Sequence, residues 1–123
     1  MAGWSTNELS RIGGAEEIAI LVQRTDGALR SPVTIWVVRV GDDIYVRSFK
    51  GHDGGWFTHA ERTRTGRIRA ADIERDITFD DPISDAHSAI DAAYRTKYGH
   101  YRSLVAQMVS PAATAATFRV SPR

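Results

Sequence analysis

The sequence predicts an α+β domain in which a mainly antiparallel sheet closes into a small barrel, with helices on its outside. Three observations predict it. Runs rich in β-branched and aromatic residues recur along the chain, above all Val33 to Val40 and Ile44 to Phe49, the composition of half-buried strands. The order is a helix, about five strands, two helices and a last strand, with few helices between strands, so antiparallel pairing prevails. At 123 residues the chain fits one domain, residues 1–123, large enough to bury a core.

The first helix is read over Ser5 to Ala15. Ser5 with Glu8 three residues on has the form of a capping box, Leu9 and Ile12 share a face, and Gly13-Gly14 stops the helix. It reads as a lid over one end of the sheet. Glu17 to Arg24 alternates with apolar residues on both faces, so this strand is expected to be central and covered on each side. Asp26-Gly27 marks a turn and Ser31-Pro32 closes the connection. The two strongest strands follow, joined at Gly41-Asp42-Asp43. Arg39, between apolar neighbours, is expected to face outward. Lys50 to Gly55 reads as a flexible loop, and Trp56-Phe57 after it as either a core anchor or a stacking wall. Arg67 to Ala70 and Ile73 to Phe79 form a second antiparallel pair. Ser84 is expected to cap a helix to Tyr98 that buries Ile90, Ala93, Tyr94 and Tyr98, with Gly99 just beyond its end. A shorter helix carries Leu104, Val105 and Met108. The alanines of 112–116 read as a linker, and the tail TFRVSPR as the final strand.

Composition excludes several functions. There is no cysteine, hence no disulfide, thiolate nucleophile or cysteine metal site. His52, His59, His87 and His100 lack metal-ligand spacing. A net charge of +1 without a basic stripe argues against nucleic acid. No apolar run approaches the ~20 residues that span a bilayer, and the N-terminus lacks a signal-peptide pattern, so a cytoplasmic protein without membrane association is expected. Charge is nevertheless uneven. Residues 24–69 carry nine Lys or Arg against five acids, and residues 72–91 seven acids against one arginine. This reads either as two solvated faces or as a local anion site in the basic half.

No GxSxG elbow or glycine-rich phosphate loop occurs. Asp42-Asp43 and Asp80-Asp81 sit in turns, where aspartate bonds its own backbone. The remaining constellation is Arg24, Arg30, Arg47, Ser48 and Lys50 near strand ends, with Gly51, Gly54 and Gly55 beside them. Guanidinium forks match phosphate or carboxylate, and Trp36, Trp56, Phe57 and the tyrosines are available to cover an apolar ligand.

The run RTDGALRSPVTIWVV, then YVRS with its glycine-rich loop, then GGWFTHA, is similar in order to the FMN-binding split-barrel superfamily, and within it to the deazaflavin-dependent nitroreductase-like branch. Over nearly the whole chain the sequence also resembles a small family of uncharacterised bacterial proteins that share IWVVRVGDD, YVRS, AYR-KYG-Y and MV-P. The resemblance implies a six-stranded split β-barrel and a small-molecule ligand. It implies a cofactor phosphate at Arg30, Arg47 and Ser48, and Trp56 near the cofactor ring. The lysine of the deazaflavin branch's turn is absent from Asp26 to Ser31, which leaves FMN, a deazaflavin coenzyme or no cofactor open. The expected activity is an oxidoreductase acting on a small organic acceptor, with His59 and Tyr98 as proton donors. The alternatives are a cofactor-free anion-binding protein on the same barrel and a sheet whose main use is to form a homodimer.

Overall fold

A computed structural model describes residues 3–123. One seven-stranded sheet, antiparallel throughout, organises them in the order β2-β1-β5-β6-β7-β4-β3. The strands are β1 (Ile18–Val22), β2 (Val33–Ile35), β3 (Val38–Val40), β4 (Asp43–Arg47), β5 (Thr65–Ala70), β6 (Ile73–Asp80) and β7 (Thr117–Pro122). Seven strands replace the expected six because Val33 to Val40 is two strands.

That division explains the curl of the sheet. β2 pairs with β1 at one edge and β3 pairs with β4 at the other. A flat sheet of seven strands would hold its edges about 29 Å apart. Only Trp36 and Val37 connect these two, and three residue steps reach about 11 Å. The sheet therefore curls into a half-barrel, and Trp36-Val37 crosses its seam.

The interior of the curl is apolar. Ile20 and Val22 of β1, Ile44 and Val46 of β4, Ile68, Ile77, Phe79, Phe118 and Val120 are buried there. Helix α1 (Thr6–Gly14) closes one end with Leu9 and Ile12, as its pattern predicts, and both bonds of the Ser5–Glu8 capping box form. Trp4 Nε1 donates to Val120 O at 2.9 Å, and Glu8 pairs with Arg75 of β6. The bonds from Ser5 and Arg75 hold the Glu8 carboxyl below its usual range, against the opposing effect of burial.

The outer face of β3 and β4 is covered by α3 (His87–Tyr98) and α4 (Arg102–Met108), which bury Ile90, Tyr94, Tyr98, Val105 and Met108 against Val38 and Tyr45. Three local expectations are corrected. Residues 55–63 form a helix, α2 (Gly55–Thr63), which buries Phe57 and Ala60. The supposed alanine linker contains helix α5 (Pro111–Ala115), whose cap Ser110 accepts from the Ala113 N–H and whose first residue is proline, the position proline suits. Ser84 opens a 3-10 turn rather than capping α3. Arg39 is exposed, as its phase predicts.

The uneven charge is resolved by pairing across the fold. Arg67 meets Glu74 and Asp76, Arg69 meets Glu74, Arg64 meets Asp81, and Arg11 meets Asp72. Such solvent-exposed pairs, screened by water, add little to stability. The basic and acidic stretches are largely each other's counterions.

Candidate functional site

β4 ends at Arg47, and the chain then runs through Ser48, Phe49 and Lys50 into a 3-10 turn at Gly51–Asp53 and the start of α2. Opposite lies the outer edge of the barrel at β2 and Trp36. Between them is a cavity of about 590 Å3, open to solvent and mainly apolar. That volume is within the range of small-molecule sites. Val33, Trp36, Phe49, Trp56, Leu104 and Met108 supply its apolar wall.

One end of the cavity is polar. Ser48, Lys50, Gly54 and Gly55 line it. Gly54 is the N-cap of α2 and brings no side-chain hydrogen bond, so the first N–H groups of the helix, beside Gly54 and Gly55 in the lining, have no side-chain acceptor. Glycine is required at 54 by close approach, since a Cβ there would lie 2.2 Å from Ser48 Oγ. Backbone contact thus holds Ser48 against the helix start. Glu17 is an acid on the opposite wall.

Arg47 borders the cavity, but its charge is turned inward. The side chain is fully buried. Its Nε donates to Thr117 Oγ1 at 2.9 Å, and Nη1 donates to Asp91 Oδ1 at 2.5 Å and to the Met108 carbonyl at 3.1 Å. Nη2 lies 3.2 Å from His87 Nδ1, and the guanidinium sits over the Tyr94 ring at 5.6 Å. Because a guanidinium only donates, Nδ1 of His87 is the acceptor in that contact. Arg47 therefore fastens β4 to β7, α3 and α4, with its donors engaged by protein groups.

Tyr98 lies at the seam. Its hydroxyl accepts from the Val37 N–H at 3.1 Å and shares its one proton between Glu16 O at 2.8 Å and Val37 O at 3.0 Å. Burial foremost, against the bond with Val37, pushes the phenol up to about 12. Its ring stacks on Trp36 with centroids 3.9 Å apart and planes 1° apart, so the tyrosine backs the indole that faces the cavity.

The structure therefore brings Trp36, Arg47, Ser48, Lys50, Gly54, Gly55 and Trp56 to one cavity and leaves Arg24, Arg30, Gly51, Phe57, His59 and Tyr98 outside its lining. Arg24 is exposed and pairs with Asp26 at 3.1 Å. Arg30 is half-buried, with its backbone N–H on Val22 O and its Nε buried without a protein partner. Gly51 has φ +62° and abuts Ala112. His59 is on α2, its imidazole held below its usual range by desolvation and then by Arg30 and Arg62. Phe57 is a core residue. Sequence reasoning missed Leu104 and Met108 as cavity wall, and the start of α2 as part of the lining. The signal for the latter was Trp56, Phe57 and Ala60 at helical spacing directly after Gly54-Gly55.

A curled antiparallel half-barrel with helices on its outer face and a ligand-sized cavity at its open edge is a split-barrel protein. Within that class the chain belongs to the family described as uncharacterized protein conserved in bacteria (DUF2255), which it matches over residues 8–120. Solved structures share the fold. An F420 reductase is 14% identical, with a TM-score of 0.58 over 93% of this chain and 91% of that one. A FAD-binding protein from Mesorhizobium loti is 14% identical, TM-score 0.56, over 98% and 91%. A FAD and heme binding protein from Mycobacterium smegmatis is 17% identical, TM-score 0.54, over 95% and 65%. At these identities the likeness is one of fold. No curated protein matches the sequence. Among the described residues no helix is long and apolar enough to cross a membrane, and no cluster of His, Asp and Glu could hold a metal ion.

Proposed function

We propose that the cavity at the β4 exit binds a flavin-type cofactor, FMN or a deazaflavin coenzyme, and that the protein is an oxidoreductase acting on a small organic acceptor. The observation that carries the reading is the cavity itself, an apolar slot walled by two indoles with donors gathered at one end. Trp36, held flat by Tyr98, and Trp56 would flank the ring system. Ser48, Lys50 and the first N–H groups of α2 would meet the phosphate, as helix starts do. A bound flavin supplies hydride chemistry, while this chain binds it, orients it and excludes water. Arg47 serves by fixing Ser48 and Lys50 in place. Fold neighbours described as an F420 reductase and as FAD-binding proteins support the same class of ligand.

Titration of the purified protein with FMN, FAD and F420, followed by fluorescence quenching and calorimetry, tests the reading. One of the three is expected to bind. Trp36→Ala and Trp56→Ala are each expected to weaken it about tenfold or more, the loss of one stacking partner in a desolvated site. Binding of phosphate or a simple carboxylate alone, with no response to any flavin, would establish the cofactor-free anion site instead. The same proposal includes a homodimer, since exposed Val33, Phe49 and Leu104 surround the cavity mouth and a second copy would cover them. Light scattering that finds a monomer at high concentration removes that part.

A further inference from the structure

The guanidinium of Arg47 is held by four groups, and one of them can change charge near neutral pH. Nη1 donates to Asp91 and to the Met108 carbonyl, and Nε donates to Thr117. Among the described residues Nη2 meets one acceptor only, Nδ1 of His87 at 3.2 Å. The Arg47 side chain is fully buried, and a buried charged donor stripped of its acceptor is costly. This contact therefore helps to decide where the whole fork lies.

His87 differs from the other acceptors in one property. A carbonyl, a hydroxyl and an ion-paired carboxylate keep their lone pairs through the neutral range, whereas histidine is the side chain that ordinarily changes charge between about pH 5 and 8. The contact needs the neutral ring with its proton on Nε2. A proton on Nδ1 removes the acceptor and sets two cations against each other at the same distance. The ring is half-buried, so solvent can deliver that proton.

The charged groups around it are few. β4 brings Arg47, and α3 brings Asp91, one turn on and already bonded to Nη1. The 3-10 turn before α3 brings Asp85, which is exposed. Arg102, at the start of α4, is also exposed, and Arg119 of β7 is turned to Asp80. The Tyr94 ring beside the guanidinium is a phenol that burial keeps neutral.

What Arg47 does is felt in the cavity, because Ser48 and Lys50 of the lining follow it directly. The Ser48 N–H is bonded to Ala116 O at 3.0 Å, and its hydroxyl packs against Gly54 at the start of α2. A shift of the guanidinium thus has a short covalent path to the polar end of the cavity.

We propose that His87 is a pH-sensitive positioning residue for this cavity. As a neutral ring it holds Arg47, and through it Ser48 and Lys50, in the binding arrangement. On protonation it lets go of Nη2 and loosens that arrangement, so the ligand is held at neutral pH and released in acid. The inference rests on the reading of this cavity as the ligand site.

The first test needs no ligand and so stands apart from the flavin reading. The isotope-labelled protein is titrated from pH 8 to pH 5 by NMR, with the rings of His52, His59, His87 and His100 followed separately. The backbone N–H signals of Ser48 and Lys50 are expected to move with the midpoint of the His87 ring. In His87→Asn, which keeps an acceptor for Nη2 but takes up no proton, they are expected to stay still. Signals that do not move, that follow His52 instead, or that move equally in the variant overturn the proposal. The wild-type comparison of ring and backbone midpoints decides the matter even where the variant folds poorly. The second test is affinity for FMN, FAD or F420, or for inorganic phosphate where none of these binds. Its fall from pH 8 to pH 5 is expected to be about fivefold or more steeper in wild type than in His87→Asn, a coupling of ordinary size. A ligand phosphate takes up a proton in the same range, equally for both proteins, so the ratio of the two falls is read. A ratio of one overturns the acid release.

Discussion

The barrel is fastened at two places beside its cavity, and the two fastenings use opposite electrostatics. At the seam, a neutral phenol on α3 satisfies the backbone where the sheet edges fail to pair: the Tyr98 hydroxyl accepts from the Val37 N–H and shares its one proton between the Glu16 and Val37 carbonyls, with Lys97 Nζ also donating to the latter. At the β4 exit a full charge is buried, and it takes Asp91, Thr117, His87 and the Met108 carbonyl to accommodate Arg47. The same helix supplies both, with Asp91 and His87 in its first half and Tyr98 at its end. A buried hydroxyl needs a few backbone partners, whereas a buried guanidinium needs an ion and a network. The cost of disturbing each should differ accordingly.

The largest effect is expected at the charged fastening, and it should be asymmetric. Asp91→Ala leaves the Arg47 guanidinium buried without its ion, a change that costs about 3–5 kcal/mol. Arg47→Met is expected to cost less, because the Asp91 side chain is 25% exposed and can turn to solvent while methionine fills the vacated stem. Urea unfolding of the two variants against wild type measures both. Equal losses would mean that the pair is held by geometry rather than by charge burial.

At the neutral fastening, Tyr98→Phe strands the Val37 N–H and is expected to cost about 1–3 kcal/mol. Tyr94, one turn earlier on α3, provides the comparison. Its hydroxyl is buried without a protein hydrogen-bond partner, so Tyr94→Phe leaves no protein group stranded and should stay within about 0.5 kcal/mol of wild type. Tyr98→Phe also keeps the ring stacked on Trp36, so affinity for the flavin proposed for the cavity should change far less than stability does.

The same two places show what the sequence could reveal. The capping box of α1, the turn at Gly41 and the β5–β6 pair were legible because each is decided by neighbours in the chain. The split of Val33 to Val40 was not, because nothing in VTIWVVRV marks where pairing passes from one edge of the sheet to the other. The curl of the whole sheet decides it. Arg47 was legible as unusual, lying in phase with Tyr45 at a strand end. Its burial depended on Asp91 and Thr117, which are 44 and 70 residues away, and no local pattern reports such distances. The glycines of KGHDGG suggested a loop, yet Gly54 is there to let Ser48 approach α2. Ser110-Pro111 announced α5 in the ordinary language of helix starts, and the run of alanines after it concealed the signal.

A last expected effect separates the two neighbours at the seam by pH. Lys97 is pushed down to about 8 by desolvation, while an unfolded lysine holds its proton to about 10.4. Between those values the unfolded chain binds the extra proton, so stability rises with pH, and Lys97→Met should abolish that rise. Tyr98 is pushed up to about 12, again chiefly by burial, while an unfolded tyrosine ionises near about 10. Above that point the folded chain binds the extra proton, so stability falls with pH. Tyr45 and Tyr94, also raised by burial, add to the fall, so Tyr98→Phe should shrink it without removing it. Denaturant midpoints from pH 7 to 11 should therefore pass through a maximum near pH 10, and a maximum unmoved by Lys97→Met would mean that the amine is better solvated than its bond to Val37 implies.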